Sequence, residues 1–165
     1  VLGTYDRETG NFYILGMESL RDNHATVQAA IERCVEKDGR DTYVCIPVDS
    51  GSAGKSVADQ KKSRLMTLGA KVVLEATRQS KLVRAEALLI AIQEGKVHVA
   101  PNVFSDANYT EIGAFDGARC GGLHDDIIDA MASCYNTLVS GNLVPTLRIN
   151  RTGMIRHNLG GSTLL

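Results

Sequence analysis

Two groups of residues in this chain have types and spacings that could support chemistry. The first is the segment 49–56, DSGSAGKS, whose end matches a phosphate-binding loop of the form GxxxxGK[ST]. Asp49 stands where that loop needs its first glycine, and a carboxylate there would repel the phosphates. The segment therefore indicates either an altered nucleotide site or a different site that uses the acid.

The second group is the segment 123–130, LHDDIIDA, at the start of a predicted helix. Around a helix, Asp125 and Asp129 lie about 40° apart, and Asp126 and Asp129 about 60° apart. Acids at a helix N-terminus interact favourably with the helix dipole, which accounts for one or two of them. Three acids beside His124 repel one another unless a cation lies among them. The cluster is therefore a candidate metal site, with helix capping as the alternative.

Asp49 follows a predicted buried strand, where open α/β sheets place their ligand sites. A turn-starting aspartate before Ser-Gly is the simpler interpretation. If a strand-end carboxylate and the acids of the last helix converge, they offer hard oxygen ligands that suit Mg²⁺ or Mn²⁺. Two such ions about 4 Å apart could activate water and stabilise the leaving oxygen in phosphodiester cleavage.

The elements that would position these residues alternate between strands and helices after an initial hairpin. The predicted strands are 1–6, 11–17, 42–48, 71–74 and 97–99. The predicted helices run from 22–23 to 38, from 57 to 69, from 81 to 94, from 105 to 115 and from 124 to about 139. We expect Val57, Leu65 and Leu68 to face inward, and residues 51–54 to form a tight turn. The pattern predicts an α/β domain with a central mixed sheet flanked by helices.

Composition limits the classes of protein that remain. The chain has 165 residues, a net charge of −1 and 44% hydrophobic residues, which fits one globular domain. No apolar run approaches the roughly 20 residues of a membrane helix, and no secretory signal is visible. The cysteines are scattered without a CxxC pair, which predicts free thiols in a reducing compartment.

Basic residues concentrate in one part of the chain. Residues 60–96 contain eight basic residues and three acids. Solvated helix faces account for much of this pattern, and a polyanionic partner is the alternative interpretation.

These features, in their order and spacing, resemble the C-terminal nuclease domain of the large terminase subunit of tailed phages. The matching elements are the hairpin VLGTYDRETGNFYILGMESLR, the strand and loop VCIPVDSGSAGKS, the element SKLVRAEAL, the strand EGKVHV and the helix LHDDIIDAMASCYNTL. The GSAGK loop, the K-x-x-R-A element and the HDDxxDA helix are specific to that family. The resemblance implies an RNase H-like nuclease domain over residues 1–140, followed by a C-terminal tail or flap over 141–165.

The resemblance also implies roles for the acids in a nuclease that cuts concatemeric viral DNA with two divalent ions, Mg²⁺ or Mn²⁺. Asp49 would be the second catalytic acid, and Asp126 the acid of the last helix. Asp125 and Asp129 would be assisting or alternative ligands, with Asp129 also in the catalytic set. His124 would position water or substrate, or else be a surface residue near the helix start.

Basic positions of the family match Lys55, Lys81 and Arg84, which we expect to contact DNA phosphates. Lys61 and Lys62, in the same basic region, are predicted to bind DNA with them. For Lys81 and Arg84 the alternative is surface charge at the start of a helix.

The expected partners are double-stranded DNA, an ATPase domain upstream in the same polypeptide, the small terminase subunit and the portal, with no membrane. The expected location is the host cytoplasm. The family begins its nuclease domain with a strand bearing the first catalytic aspartate, and this chain begins at the hairpin that follows it. We expect either that this strand precedes the present chain in a longer polypeptide or that the catalytic set lacks its aspartate.

Two other kinds of protein remain as alternatives. A Holliday-junction resolvase, or a non-catalytic RNase H-like DNA-binding module, shares acids near a final helix. A P-loop nucleotide binder fits GSAGKS, but Asp49 and the lack of a second strand ending in an acid disfavour it.

Overall fold

Strands and helices alternate along most of the chain in the computed structural model, which describes residues 1–48, 51–76, 79–115, 125–140, 147–149 and 155–157. The strands are β1 (Leu2–Asp6), β2 (Asn11–Gly16), β3 (Tyr43–Val48), β4 (Lys71–Ala76), β5 (Val97–Val99), β6 (Leu147–Ile149) and β7 (Ile155–His157). The helices are α1 (His24–Asp38), α2 (Ser52–Thr67), α3 (Lys81–Gln93), α4 (Asp106–Gly113) and α5 (Asp126–Val139). The predicted α/β class is confirmed.

The predicted N-terminal hairpin is formed by β1 and β2, which pair antiparallel, and β5 then joins β2 in parallel, so this sheet is mixed. The turn depends on Asp6, whose carboxylate accepts hydrogen bonds from the Thr9 hydroxyl at 2.7 Å and the Glu8 N–H at 2.9 Å. The Thr9 hydroxyl lowers the pKa of Asp6. Gly10 closes the turn at φ +73°, where glycine is favoured. The Asp6 side chain therefore stabilises the turn of the hairpin.

The second sheet consists of β3 and β4, which pair in parallel from Tyr43↔Lys71 to Val48↔Ala76. Among the described residues it does not hydrogen-bond to the first sheet, so the single central sheet that we predicted is not seen there. Helix α5 contacts both sheets. Thr137 donates to the Cys45 sulfur on β3 at 3.3 Å, and a Cβ at Gly3 on β1 would lie 3.1 Å from the Cys134 sulfur.

The hydrophobic core has two parts that differ in the helices they use. The first core joins β2 to α3 and α5 through Phe12, Ile14, Ala85, Leu88, Ala91, Ile127, Ile128, Met131, Ala132 and Tyr135. The second core joins β3 to α1 and α2 through Val35, Ile46, Ala58, Leu65 and Ala70. Each large side chain that is fully buried contributes roughly 1.5–3 kcal/mol. The first core therefore holds α3 and α5 in place, and those helices carry Lys81, Arg84, Asp126 and Asp129 of the predicted site.

The inward face of α2 differs from the prediction. Leu65 is buried and Leu68 packs against the second core, as expected, but Val57 is 47% exposed. Ala58 takes the inward position because it lies seven residues from Leu65, on the same side of the helix. The predicted tight turn over 51–54 is also wrong, since α2 begins at Ser52.

The C-terminal region contains more order than predicted. The prediction was an irregular tail or flap, yet β6 and β7 pair antiparallel, from Leu147↔His157 to Ile149↔Ile155. Each strand is three residues long, too short for the period-2 pattern that identifies a strand in a sequence. None of the described helices is both long and apolar enough to cross a membrane.

Candidate functional site

Helices α3 and α5 begin next to each other, and this brings several predicted residues together. Ser80 caps α3 by accepting from the Val83 N–H at 3.3 Å, so that Lys81 is the first residue of the helix. The Lys81 ammonium lies 2.5 Å from Asp125 Oδ1 and 3.1 Å from Asp129 Oδ2. One cation of the K-x-x-R-A element thus bridges two acids of the HDDxxDA helix.

Arg84, one turn further along α3, binds only one of these two acids, Asp129. Its Nη2 donates to Asp129 Oδ1 at 2.7 Å, and its side chain is only 12% exposed. The Asn136 amide donates to the Arg84 backbone carbonyl at 2.8 Å, which fixes α3 against α5 at this level. The bond from Arg84 to Asp129 joins two charged groups, and such charge-assisted hydrogen bonds are among the stronger ones in proteins. Asp129 therefore has both carboxylate oxygens engaged, one by each cation.

These contacts show what offsets the repulsion among the acids in the structure described. We predicted that three acids in one turn need a cation among them, and Lys81 and Arg84 supply two. The hydrogen bond from Lys81 to Asp125 raises the pKa of Lys81 above its ordinary value, with a smaller contribution from Asp129. Lys81 therefore stays charged across the physiological range.

Asp126 differs from Asp125 and Asp129 in its contacts. It is exposed, and its carboxylate makes no hydrogen bond or ion pair with any other residue that the structure describes. The next residue, Ile127, is buried in the first core, so the backbone that carries Asp126 is held firmly while the carboxylate faces out. Of the three acids, Asp126 is the one best placed to bind a cation.

The start of α5 is capped from a different helix. Asp125 precedes the helix but makes no side-chain capping bond, and instead the Glu111 carboxylate on α4 accepts from the Ile127 N–H at 3.1 Å. Sequence reasoning missed Glu111 and Asn136. Neither residue has a local signal, because their partners lie 16 and 52 positions away along the chain.

Two of the predicted site residues, Asp49 and His124, lie outside the described residues. The structure does describe what flanks Asp49: β3 ends at Val48, and α2 begins at Ser52 after the cap residue Gly51. Lys55 therefore lies in the first turn of α2. Only residues 49–51 separate strand from helix, and this is too short for the glycine-rich loop that wraps phosphates in a P-loop protein. The geometry disfavours the nucleotide-binding alternative.

The remaining predicted DNA contacts lie along α2. Lys55 is exposed, and Lys61 and Lys62 are half-buried. Lys55 and Lys62 are seven residues apart and share one side of the helix. None of the three forms an ion pair with a residue in the described part of the chain.

An open groove of about 820 Å³ lies along α2. Its lining residues are Lys55, Ser56, Asp59, Gln60, Ser63, Arg64 and Thr67. Arg64 in this groove is paired with Glu32 of α1, with Nη2 and Oε2 3.1 Å apart. The acids of α5 do not line the groove, so it is separate from the acidic cluster.

The chemistry of the acidic cluster fits a hard divalent cation in its donor type, because its ligands would be carboxylate oxygens. Over the described ranges, no group of three or more histidine, cysteine, aspartate or glutamate side chains is arranged to bind a metal. Asp126 would supply one carboxylate donor, and the predicted ligand set also requires Asp49, with Asp125 and Asp129 assisting. The metal, catalytic and DNA-binding roles of all ten predicted site residues remain predictions.

Comparison with known proteins identifies the family. A family model described as a terminase RNaseH-like domain matches residues 1–138. Comparison with curated proteins and with solved structures found no match. The matched range includes β1 to β5 and nearly all of α5, and therefore both helices that carry the acidic cluster and its cations. Since the match covers most of the chain, the protein belongs to the terminase RNaseH-like domain family, which indicates a nuclease-type role.

Proposed function

We propose that this chain is the nuclease domain of a terminase large subunit and cuts concatemeric viral DNA in a metal-dependent reaction during genome packaging. The observation that carries the proposal is the arrangement of acids at the start of α5, in a chain of the terminase family. Asp126 is exposed without a partner among the described residues, while Lys81 and Arg84 hold its neighbours.

The proposed metal ligands are Asp126 and Asp49, with Asp125 and Asp129 assisting. Two divalent ions, Mg²⁺ or Mn²⁺, would supply an activated water and stabilise the charge on the leaving oxygen. His124 would position water or substrate. In the family that the chain resembles, a further acid on a strand before the hairpin completes the set of metal ligands.

The described residues would set the charge around Asp126 and orient its carboxylate. Lys81 and Arg84 neutralise Asp125 and Asp129, whereas Asp126 has no compensating charge among the described residues. This arrangement lowers the repulsion that a DNA phosphate would meet near α5. The buried neighbour Ile127 and the first core restrict the backbone that presents the Asp126 carboxylate.

We propose that Lys55, Lys61 and Lys62 contact DNA phosphates. Support comes from their position on one helix and from the absence of carboxylate partners for them within the described residues. Binding through such contacts releases counterions and weakens steeply as salt is added. Lys81 and Arg84 remain proposed DNA contacts, although both already have carboxylate partners in this structure.

The remaining partners follow from the family alone. We propose that an ATPase domain of the same polypeptide, the small terminase subunit and the portal act with this domain, in the host cytoplasm. The terminase family membership supports these assignments in general terms.

The proposal is tested by plasmid cleavage with the purified chain in Mn²⁺ or Mg²⁺, with EDTA as the metal-free control. We expect Asp126→Ala to slow cleavage by more than about 100-fold, since even a partner outside the direct metal ligands costs roughly 10–100-fold. Asp106→Ala is a matched control, because Asp106 is also an exposed acid and the first residue of its helix, α4. Cleavage by Asp126→Ala at the wild-type rate would contradict the proposal.

One observation favours a second candidate, a non-catalytic RNase H-like DNA-binding module. Both oxygens of Asp129 are engaged by Lys81 and Arg84, and this leaves fewer donors for metal ions. DNA binding by the wild-type chain without cleavage under any divalent metal would support that candidate. Preferential cleavage of four-way junctions over linear duplex would instead support a resolvase.

A further inference from the structure

Helix α5 is not capped by the side chain of its own cap residue, Asp125. Asp125 occupies the capping position, but its side chain makes no capping bond, and its Oδ1 lies 2.5 Å from the Lys81 ammonium. The first N–H groups of a helix have no partner within the helix and need one from elsewhere. Part of that need at α5 is met by Glu111, whose Oε1 accepts from the Ile127 N–H at 3.1 Å.

The helix that carries Glu111 is itself well anchored. Ser105 and Asn108 form a capping box at its start, with the Ser105 hydroxyl accepting from the Asn108 N–H at 3.3 Å. At its other end, Ile112 and Phe115 pack against the first core. Glu111 is half-buried between these two anchors. The Glu111 carboxylate is therefore held in position beside the start of α5.

The bond from Glu111 reaches the peptide next to Asp126. Among the described residues the Asp126 carboxylate has no bond of its own, so its position depends on how the backbone is held. The backbone is held on one side by burial of Ile127, which is 5% exposed, and on the other by the Glu111 carboxylate. Loss of that bond would let the first turn of α5 fray, since helix ends open first.

We propose that Glu111 is a positioning residue for Asp126, which it orients through the Ile127 N–H without itself binding metal or substrate. This inference rests on the proposed function, because it assigns Asp126 to a metal. Outer groups that orient a ligand typically change metal affinity by roughly 10–100-fold when they are removed. The role requires an acceptor oxygen at Glu111 and does not require its charge.

The experiment measures Mn²⁺ binding by titration calorimetry with the intact chain, beside thermal unfolding and amide exchange at Ile127. We expect Glu111→Ala to weaken Mn²⁺ binding about 10- to 100-fold and to speed exchange at Ile127. Glu111→Gln keeps an acceptor for the same N–H and loses only charge near a helix end, so its affinity should fall about threefold or less. Ser105→Ala is the control for a general loosening of α4, and we expect it to lower the melting temperature with Mn²⁺ affinity unchanged.

Two results would overturn the positioning role. Equal losses in Glu111→Gln and Glu111→Ala would make the charge essential, which is the behaviour of a metal ligand. Unchanged Mn²⁺ affinity in Glu111→Ala, with only a lower melting temperature, would reduce Glu111 to a helix cap. Failure of the proposed function itself is distinguished by Asp126→Asn: if that variant binds Mn²⁺ like the wild type, the metal is not at Asp126 and both proposals fall.

Discussion

The basic residues of α2 and those of α3 look alike in the sequence but have different surroundings in the structure. Lys81 and Arg84 on α3 contact Asp125 and Asp129, and the Arg84 side chain is largely buried. Lys55 on α2 is exposed, and neither it nor Lys62 forms an ion pair with another described residue. A run of basic residues therefore indicates an external polyanion only where the fold does not already supply carboxylates.

Basic residues with and without carboxylate partners contribute differently to stability and to DNA binding. A solvated lysine without a partner contributes little to stability but retains its attraction for DNA phosphates. An arginine that has exchanged hydration for a carboxylate is costly to remove, because a poorly solvated charge is left behind. We therefore expect substitutions on α3 to affect stability mainly, and substitutions on α2 to affect DNA binding mainly.

The largest effect is expected for Arg84→Ala. It removes the closer partner of Asp129, whose side chain is 23% exposed, and it also removes a packed side chain. We expect the free energy of unfolding to fall by about 2 kcal/mol, measured by urea denaturation. Lys62→Ala is the matched control from α2 and should stay within about 0.5 kcal/mol of the wild type. Equal unfolding free energies for the two variants would contradict the expected difference between α3 and α2.

A smaller effect is expected for the double variant Lys55→Ala, Lys62→Ala, in DNA binding. Each lost phosphate contact should reduce the slope of log affinity against log salt by about one, so the pair should reduce it by about two. The measurement is fluorescence anisotropy with duplex DNA over a series of salt concentrations. Arg33→Ala is the control, because Arg33 is an exposed base on α1 that already faces Glu18 at 3.7 Å. A salt slope equal to that of the wild type would remove α2 from the proposed DNA contacts.

The smallest effect is expected for Lys81→Ala, since this side chain is 43% exposed. Exposed pairs contribute up to about 1 kcal/mol. Asp125 raises the pKa of Lys81 above its ordinary value of 10.5, so the folded state retains the proton longer than the unfolded state. The contribution is therefore fully present below the unfolded-state pKa and is lost as pH rises through the folded-state pKa.

The pH dependence is measured as the difference in unfolding free energy between the wild type and Lys81→Ala. We expect this difference to stay constant from neutral pH to about pH 9 and to shrink above the ordinary lysine pKa. A difference that is unchanged at pH 11 would show that the Lys81 charge does not contribute to stability.

Local patterns predicted the elements well, because helix and strand periods are visible in single sequences. The predicted start of α1 at 22–23 is confirmed, because Asn23 caps the helix by accepting from the Thr26 N–H at 3.1 Å. Val57 was wrongly predicted to face inward. Val57 and Ala58 are adjacent in the sequence, and which of them faces the core depends on the elements that pack against α2.

The three described cysteines are free, as predicted. Burial raises the pKa of Cys45 and of Cys134 to about 11. Both thiols therefore remain neutral at physiological pH, which fits a packing role better than a reactive one.

The contacts among the candidate site residues could not be predicted from the sequence. The need for cations among the acids followed from like-charge repulsion, but nothing local identified Lys81 and Arg84 as those cations. The same limit applies to Glu111, which reaches α5 only because α4 packs beside it. Contacts between distant elements depend on tertiary packing, which a single sequence does not display.

The central claim is that Asp126 binds a divalent metal ion, and anomalous scattering from a crystal soaked in Mn²⁺ tests it most directly. We predict a manganese peak bound by the Asp126 carboxylate, shared with Asp49, and loss of that peak in Asp126→Asn. A well-ordered crystal with no manganese at Asp126, or with the same peak in the variant, would contradict the account.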